Sequence, residues 1–287
     1  MKTWRGILDL AVPYLEGKGV PDAAVAAELL MARLLKCRRG FLSPHMDETP
    51  PERYLEAMRR GVTRLAGGEP VQYVLGEWDF RRLTLACDSR ALIPRPETEE
   101  LVGRALKFLR SRAAGAGRPL VVDVGTGSGC IALALASEFP DADYLGIDIS
   151  ADAVSLAQEN AARCGLADKV RFAVADGLDD FDEPESVDVI VSNPPYIPSA
   201  QCATLDPRIR NFEPMNALDG GPEGLDFYER LSMDALNLLK SGGGLFFEIG
   251  DGQGAAVEKL LFDSGFNDIL VEKDYAGHDR YVSATAG

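Results

Sequence analysis

The sequence predicts an α/β fold: a parallel sheet with helices on both faces, preceded by a small helical domain and a β-hairpin linker. Three observations predict it. From residue 93 onward, short apolar runs alternate with helical patterns. Those runs are almost continuously apolar, as strands buried on both faces are. The first seventy or so residues instead carry apolar side chains at helical spacing.

The helical part comes first. Leu8, Leu15, Val25, Leu29 and Leu35 recur at helical intervals, and Pro13 should kink or interrupt the first helix. Pro21 and Pro51 sit where a first-turn proline is expected. A third helix runs from about Pro51 with Tyr54, Met58, Val62 and Leu65 on one face, and Gly67-Gly68 stops it. The pattern changes over residues 71–92. Trp78, Phe80, Leu83 and Leu85 interleave with Asp79, Arg82 and Thr84, the spacing of a β-hairpin. The expected organisation is a helical domain over 1–75, a hairpin linker over 76–92 and the α/β domain over 93–287.

In the α/β domain a helix follows Pro96, with Glu97, Glu99 and Glu100 in its first turn, where the helix dipole favours acids. Strands are expected at 120–124, 144–149, 170–174, 187–192 and 244–249. Helices are expected at 129–139, 151–164, 226–240 and 253–264. The segments 267–272 and 280–284 add two further strands, one of them antiparallel.

Composition excludes several functions. No apolar run approaches the roughly 18 residues of a membrane helix, and the polar N-terminal segment is not a signal peptide. Five scattered cysteines without a C-x-x-C pair read as reduced thiols of a cytoplasmic protein. Only His45 and His278 are present, which argues against a zinc site and against histidine acid–base chemistry. A net charge of −15 argues against a surface that tracks phosphates, and so against direct nucleic-acid binding. It permits a basic protein partner.

The first strand-to-helix junction reads Val124-Gly125-Thr126-Gly127-Ser128-Gly129. Glycines let the chain turn tightly and bring backbone N–H groups close to a ligand. The spacing is G-x-G-x-G rather than the dinucleotide G-x-G-x-x-G, and alone it is equally a tight turn. Asp148 ends the next strand, 19 residues after Gly129, where a carboxylate can accept from a ribose diol. Ile149 follows it. Asp176-Gly177 ends the third strand, where an acid can meet an adenine amino group. Helix capping is the competing reading for both acids. Together the three strand ends suit a nucleoside cofactor.

The fourth strand runs into Asn193-Pro194-Pro195-Tyr196. It should neighbour the first strand across the switch point of the sheet. These residue types fit one chemical problem. An amide or aromatic-amine nitrogen is a poor nucleophile because its lone pair is delocalised. The Asn193 side-chain oxygen and the Pro194 carbonyl can grip its two N–H bonds. The prolines stiffen that backbone, and Tyr196 offers a flat face to a planar group. The competing reading is a proline-rich turn.

G-x-G-x-G, the strand-end Asp148 and N-P-P-Y together resemble the seven-strand, Rossmann-like S-adenosylmethionine-dependent methyltransferases that act on amino and amide nitrogens. Further segments narrow the resemblance to the HemK-type release factor glutamine methyltransferases (the PrmC family). They are Glu69-Pro70-Val71-Gln72-Tyr73-Val74-Leu75-Gly76, Leu92-Ile93-Pro94-Arg95-Pro96-Glu97-Thr98-Glu99, Asn211-Phe212-Glu213-Pro214 with Ala217-Leu218, and Gly277-His278-Asp279-Arg280-Tyr281-Val282. The resemblance covers nearly the whole chain. It implies S-adenosyl-L-methionine as cofactor. It implies as substrate the glutamine of the Gly-Gly-Gln motif in class I peptide chain release factors. Gly125, Thr126, Gly127, Ser128 and Gly129 would form the cofactor loop and Asp148 the ribose acceptor. Asn193, Pro194, Pro195 and Tyr196 would clamp the glutamine, Leu92 and Ile93 would wall its pocket, and Arg95 and Thr98 would lie near the cofactor. Gly177 departs from relatives that carry a large aromatic residue there. The rival readings are a nucleic-acid adenine methyltransferase, which would need a basic face, a catalytically silent binding protein, and an NAD oxidoreductase.

Overall fold

The computed structural model describes residues 3–112, 117–179, 181 and 183–287. The chain divides into two compact units: Met1–Glu77 with Asp206–Phe212, and Trp78–Leu205 with Glu213–Gly287.

The first unit is helical. It holds α1 (Trp4–Gly17), α2 (Ala23–Leu35), α3 (Glu52–Ala66) and the short α4 (Val71–Leu75). Thr3 caps α1 by accepting the Gly6 N–H. Trp4, Leu8, Ala11 and Leu15 form its buried stripe and pack with Met31, Met58 and Leu65. Helix α1 passes through Pro13 instead of breaking there. The carbonyl that Pro13 leaves without a donor belongs to Asp9, and both residues lie on the exposed face, where water can serve it. Gly61 is where α2 and α3 approach, since a Cβ there would stand 2.9 Å from Leu30. Residues 71–75 are helical rather than part of a hairpin. The Arg64 guanidinium donates to Glu69 and to the carbonyls of Tyr73 and Val74, which ties this turn to α3.

The second unit opens at the hairpin, β1 (Glu77–Phe80) and β2 (Leu83–Ala86). The unit boundary therefore falls inside β1. Residues 206–212, far along the chain, belong to the first unit, a placement with no local signature in the sequence. Then follow α5 (Pro96–Arg112), β3 (Leu120–Val124), α6 (Cys130–Glu138), β4 (Asp143–Asp148), α7 (Ala151–Arg163), β5 (Val170–Val174) and β6 (Val187–Ser192). After β6 come α8 (Ser199–Cys202), α9 (Pro207–Arg210, in the first unit), α10 (Asp226–Leu238), β7 (Leu239–Glu248), α11 (Gly254–Ser264), β8 (Asn267–Lys273) and β9 (Asp279–Thr285).

Seven strands form one sheet in the order β5-β4-β3-β6-β7-β9-β8. All pairings from β5 to β7 are parallel, and β9 runs antiparallel between β7 and β8. One core cluster joins the sheet to α5 and α6, and a second joins it to α10 and α11. Strand β7 begins five residues earlier than its apolar run, because Leu239 already pairs with Val187 across a bulge. The chain reverses direction in sheet order between β3 and β6. Ligands of open α/β sheets bind at such a switch point, outside the carboxyl ends of the strands.

Candidate functional site

A cavity of about 590 Å³ opens at that switch point, the size of a pocket for a cofactor-sized molecule. The strand ends around it are in register. Val124 of β3 pairs with Ile147 of β4 and with Ser192 of β6. Gly125, Asp148 and Asn193 therefore leave the sheet side by side. The Ser192 hydroxyl donates to the Val124 carbonyl at 2.7 Å and joins the two central strand ends.

On the β3 side, Gly125, Thr126, Gly127 and Ser128 line the cavity. Gly125 (φ 69°) has nothing within 4 Å of where its Cβ would stand, so a side chain there would occupy open cavity. The Asp148 carboxylate accepts the Gly127 N–H at 2.9 Å and the Ser150 N–H at 2.9 Å, one on each oxygen. Each oxygen keeps a further lone pair for a ligand. Burial raises the pKa of Asp148, against these two backbone donors. Helix capping does not account for Asp148, because Ser150 caps α7 through its own hydroxyl. Gly129 stands apart from the rest of the loop. A Cβ there would meet Ala157, Phe172 and Leu133 at 3.1–3.2 Å, so it serves close helix–strand packing and is not on the cavity wall.

Beneath the loop lies Asp123, 1% exposed. It accepts from the Thr126 hydroxyl at 2.6 Å and the Ala132 N–H at 3.1 Å, holding the loop to the start of α6. Burial pushes its carboxyl up to about 7, against those two hydrogen bonds. The Asn160 amide works from the other flank, donating to the carbonyls of Ser128 and Ala86 and accepting the Ala86 N–H.

Farther out, Ile149 gives the cavity an exposed apolar face, and Asp176 and Gly177 line it as well. Asp176 is committed to a partner: Arg230 of α10 binds its Oδ1 at 2.8 Å and its backbone carbonyl, and binds Asp179 at 3.1 Å. A Cβ on Gly177 would lie 2.7 Å from Arg230 Nη2. The guanidinium therefore fills the space that a side chain at 177 would need.

On the β6 side, Asn193, Pro194 and Pro195 line the cavity, with Leu92, Ile93, Arg95 and Thr98 across from the loop. Tyr196 is set behind this wall. Its ring packs against the α10–α11 core cluster, and its carbonyl accepts from Gln253 at 3.0 Å. Asn193 Nδ2 donates to Thr98 Oγ1 at 3.1 Å. The strap holding Leu92 and Ile93 is fixed by Glu213, whose side chain is 1% exposed. Glu213 accepts from Arg95 at 2.6 Å and from the Ile93 N–H at 3.2 Å. Removing Arg95 would leave a buried carboxylate short of its charged partner, which is costly.

The arrangement fits S-adenosyl-L-methionine. Open space lies above a glycine turn, a carboxylate with free lone pairs stands at the next strand end, and the far wall carries an amide. No local pattern marks Glu213, Asn160 or Arg230. Glu248 carried a readable signal, an acid inside the apolar run Leu245-Phe246-Phe247-Glu248-Ile249. Among the described residues no helix is long and apolar enough to cross a membrane, and no group of three or more His, Cys, Asp and Glu could hold a metal ion.

Known proteins share this architecture and sequence. A methyltransferase domain family matches residues 120–261, and the PrmC N-terminal domain family matches residues 7–76. A methyltransferase from Pyrococcus furiosus has the same fold, with a TM-score of 0.52 at 18% identity over 72% of this chain and 91% of that one. The release factor glutamine methyltransferase of Chlorobaculum tepidum is 38% identical over 99% of this chain and 98% of its own. That of Geobacter sulfurreducens is 40% identical over 99% of this chain and 97% of its own. At that identity over essentially the full length of both chains, this chain belongs to the release factor glutamine methyltransferases.

Proposed function

We propose that the chain transfers a methyl group from S-adenosyl-L-methionine to the side-chain amide N5 of the glutamine in the Gly-Gly-Gln motif of class I peptide chain release factors. The observation that carries it is the placement of Asn193 on the cavity wall at the end of β6, one strand over from the glycine loop. The cofactor supplies an electrophilic methyl on a sulfonium. The glycine turn from Gly125 to Ser128 lets the cofactor approach the backbone closely, and Asp148 provides lone pairs for the ribose hydroxyls. Ile149, Asp176 and Gly177 border the adenine end. Asn193 Oδ1 and the Pro194 carbonyl accept the two N–H bonds of the glutamine amide. Gripped that way, the nitrogen is aligned for attack and favours pyramidal geometry. Leu92, Ile93 and Pro195 exclude water around it, and Tyr196 stiffens the turn from behind. No strong base is needed, because the nitrogen becomes acidic only as it is methylated. The acceleration comes from alignment and proximity.

A glutamine side chain is small and common, so this pocket cannot select one protein alone. Residues 1–75 are read as the recognition domain. Binding energy gathered away from the reacting atom can be used to position it. Charge supports a basic partner. Residues 1–77 carry 11 Lys and Arg against 10 Asp and Glu, whereas the rest of the chain carries 19 against 35. The acidic field thus surrounds the methyl-transfer site and speeds association with a basic protein. The same field disfavours nucleic acid, and the five scattered cysteines support a cytoplasmic enzyme.

The test is methyl transfer from labelled cofactor to intact release factor, a short Gly-Gly-Gln peptide, DNA and RNA, using full-length enzyme and a form starting near residue 78. Intact release factor should be the substrate of the full-length enzyme. The shortened form should keep cofactor binding and lose most kcat/KM on release factor. Transfer to DNA or RNA instead would overturn the substrate. Equal kcat/KM from the shortened form would remove the recognition role of the first unit.

A further inference from the structure

Glu248, at the end of β7, is used by no step above. It is 1% exposed, and its Oε2 accepts from Thr98 Oγ1 at 2.7 Å. Thr98, 2% exposed near the start of α5, accepts in turn from Asn193 Nδ2 at 3.1 Å. A continuous chain of hydrogen bonds therefore runs from a buried carboxylate to the amide on the cavity wall.

Counting protons gives that chain a direction. A carboxylate only accepts, and a hydroxyl has one proton to give. With Glu248 ionised, the Thr98 proton goes to Glu248. Thr98 then has only lone pairs left for Asn193, so Asn193 must turn its NH₂ toward Thr98. Its Oδ1 is left facing the cavity, where it can accept a substrate N–H. The flipped amide would set NH₂ against NH₂, donor against donor. A protonated Glu248 lifts the constraint, because its own O–H can donate to Thr98. The Thr98 proton is then free for Asn193 Oδ1, and the flipped amide is satisfied equally well.

We propose that Glu248, acting through Thr98, is a positioning residue that keeps the Asn193 oxygen turned toward the methyl acceptor. The proposal rests on the reading of Asn193 as the acceptor for the glutamine amide. It makes turnover depend on the charge of Glu248. The groups facing that carboxyl are Thr98, Glu97 and Arg95 at the start of α5, Arg280 and Tyr281 on β9, Tyr196 after β6, Cys130 on α6, and Tyr228 on α10. Tyr228 donates its hydroxyl to the Glu248 carbonyl at 2.9 Å. Burial pushes the Glu248 carboxyl up to about 7, against the Thr98 hydrogen bond and the positive Arg280 and Arg95. Burial also pushes up Tyr196, Tyr228, Tyr281 and Cys130, so they stay neutral around pH 7. Above that pH Glu248 is charged and Asn193 is oriented. Below it Glu248 is neutral and the orientation is lost. At saturating cofactor and release factor, kcat should rise with pH through about 7 and then level. Saturation matters because burial also pushes Asp123, under the glycine loop, up to about 7, and saturating cofactor keeps any effect of that group on binding out of kcat.

The experiment measures kcat against pH, together with cofactor Kd and release factor KM, for four single variants and one double variant. Thr98→Val should lower kcat about 10- to 100-fold, the scale of one misdirected hydrogen bond, with Kd and KM nearly unchanged. Thr98→Ser should restore most of it. Glu248→Gln, which cannot ionise, should lose the rise through pH 7. Asn193→Ala should be insensitive to a second Thr98→Val change. Normal kcat in Thr98→Val, or a retained rise in Glu248→Gln, overturns the relay. Normal kcat in Asn193→Ala overturns instead the reading on which the relay rests.

Discussion

On the β3–β4 side of the cavity, the lining is a glycine turn and one carboxylate, Asp148, whose two oxygens already hold Gly127 and Ser150. On the β6 side it is a side-chain amide and a strap of apolar residues, held by Thr98, Glu248, Glu213 and Arg95. The first wall is tied by residues 2 and 21 positions apart. The second is built from residues that lie 95 to 150 positions apart. A turn held by its own hydrogen bonds suits a ligand that must be bound the same way every time. A side-chain amide can be aimed, and aiming needs partners. The two walls should therefore fail differently when altered, one in affinity and the other in turnover.

The largest effect is expected on the second wall. Asn193→Ala should reduce kcat by about two to three powers of ten, the loss that follows removal of one preorganised polar partner. Cofactor Kd should change far less, and single-turnover methyl transfer with calorimetry on the same sample reads both. Near-normal kcat would mean that the amide does not grip the nucleophile. Next comes the first wall. Asp148→Ala removes the acceptor for the ribose and also frees the Gly127 N–H. Charged hydrogen bonds contribute about 1.5–3 kcal/mol. Cofactor binding should weaken about 10- to 100-fold, with kcat at saturation largely retained. A variant that loses kcat and keeps Kd would merge the two walls.

The same contrast explains what the sequence disclosed. Gly125, Gly127 and Asp148 were legible because a turn and a strand end are local events, spelled by adjacent letters. So was the sheet, whose apolar runs match the observed strands within a residue or two except at β7. Asn193-Pro194-Pro195 was legible for the same local reason. Glu213 was not, and Glu248 shows only as an acid inside an apolar run, because the meaning of both is a partner. A buried acid is tolerable only when something compensates it, and Arg95 and Thr98 stand 118 and 150 residues away. Tyr196 was read as a face of the pocket and is found packed behind it, since pattern cannot say which side of a turn an aromatic ring takes. Pro13 failed as a helix breaker because the exposure of Asp9 decides the cost. The return of residues 206–212 to the first unit has no local signature at all.

The smallest effect is expected at Asp176, and it separates two acids that looked alike in sequence. Both end strands beside the cofactor loop. Asp148 is partly buried and holds backbone donors. The Asp176 side chain is 58% exposed and already paired with Arg230. An exposed ion pair contributes about 0–1 kcal/mol, and a carboxylate shared with a guanidinium has less to offer an adenine amino group. Arg230 also bonds the Asp176 carbonyl and Asp179, so the strand end would stay in place without the Asp176 charge. Asp176→Asn keeps an oxygen where the carboxylate was. It should weaken cofactor binding by less than about fivefold, within the range of one exposed pair. The comparison to make is the ratio of its Kd to that of Asp148→Ala, measured by calorimetry in one buffer. A loss as large as that of Asp148→Ala would show that the adenine contact dominates and that the Arg230 pairing gives way when cofactor binds. The wall would then be organised by its far end rather than by the ribose.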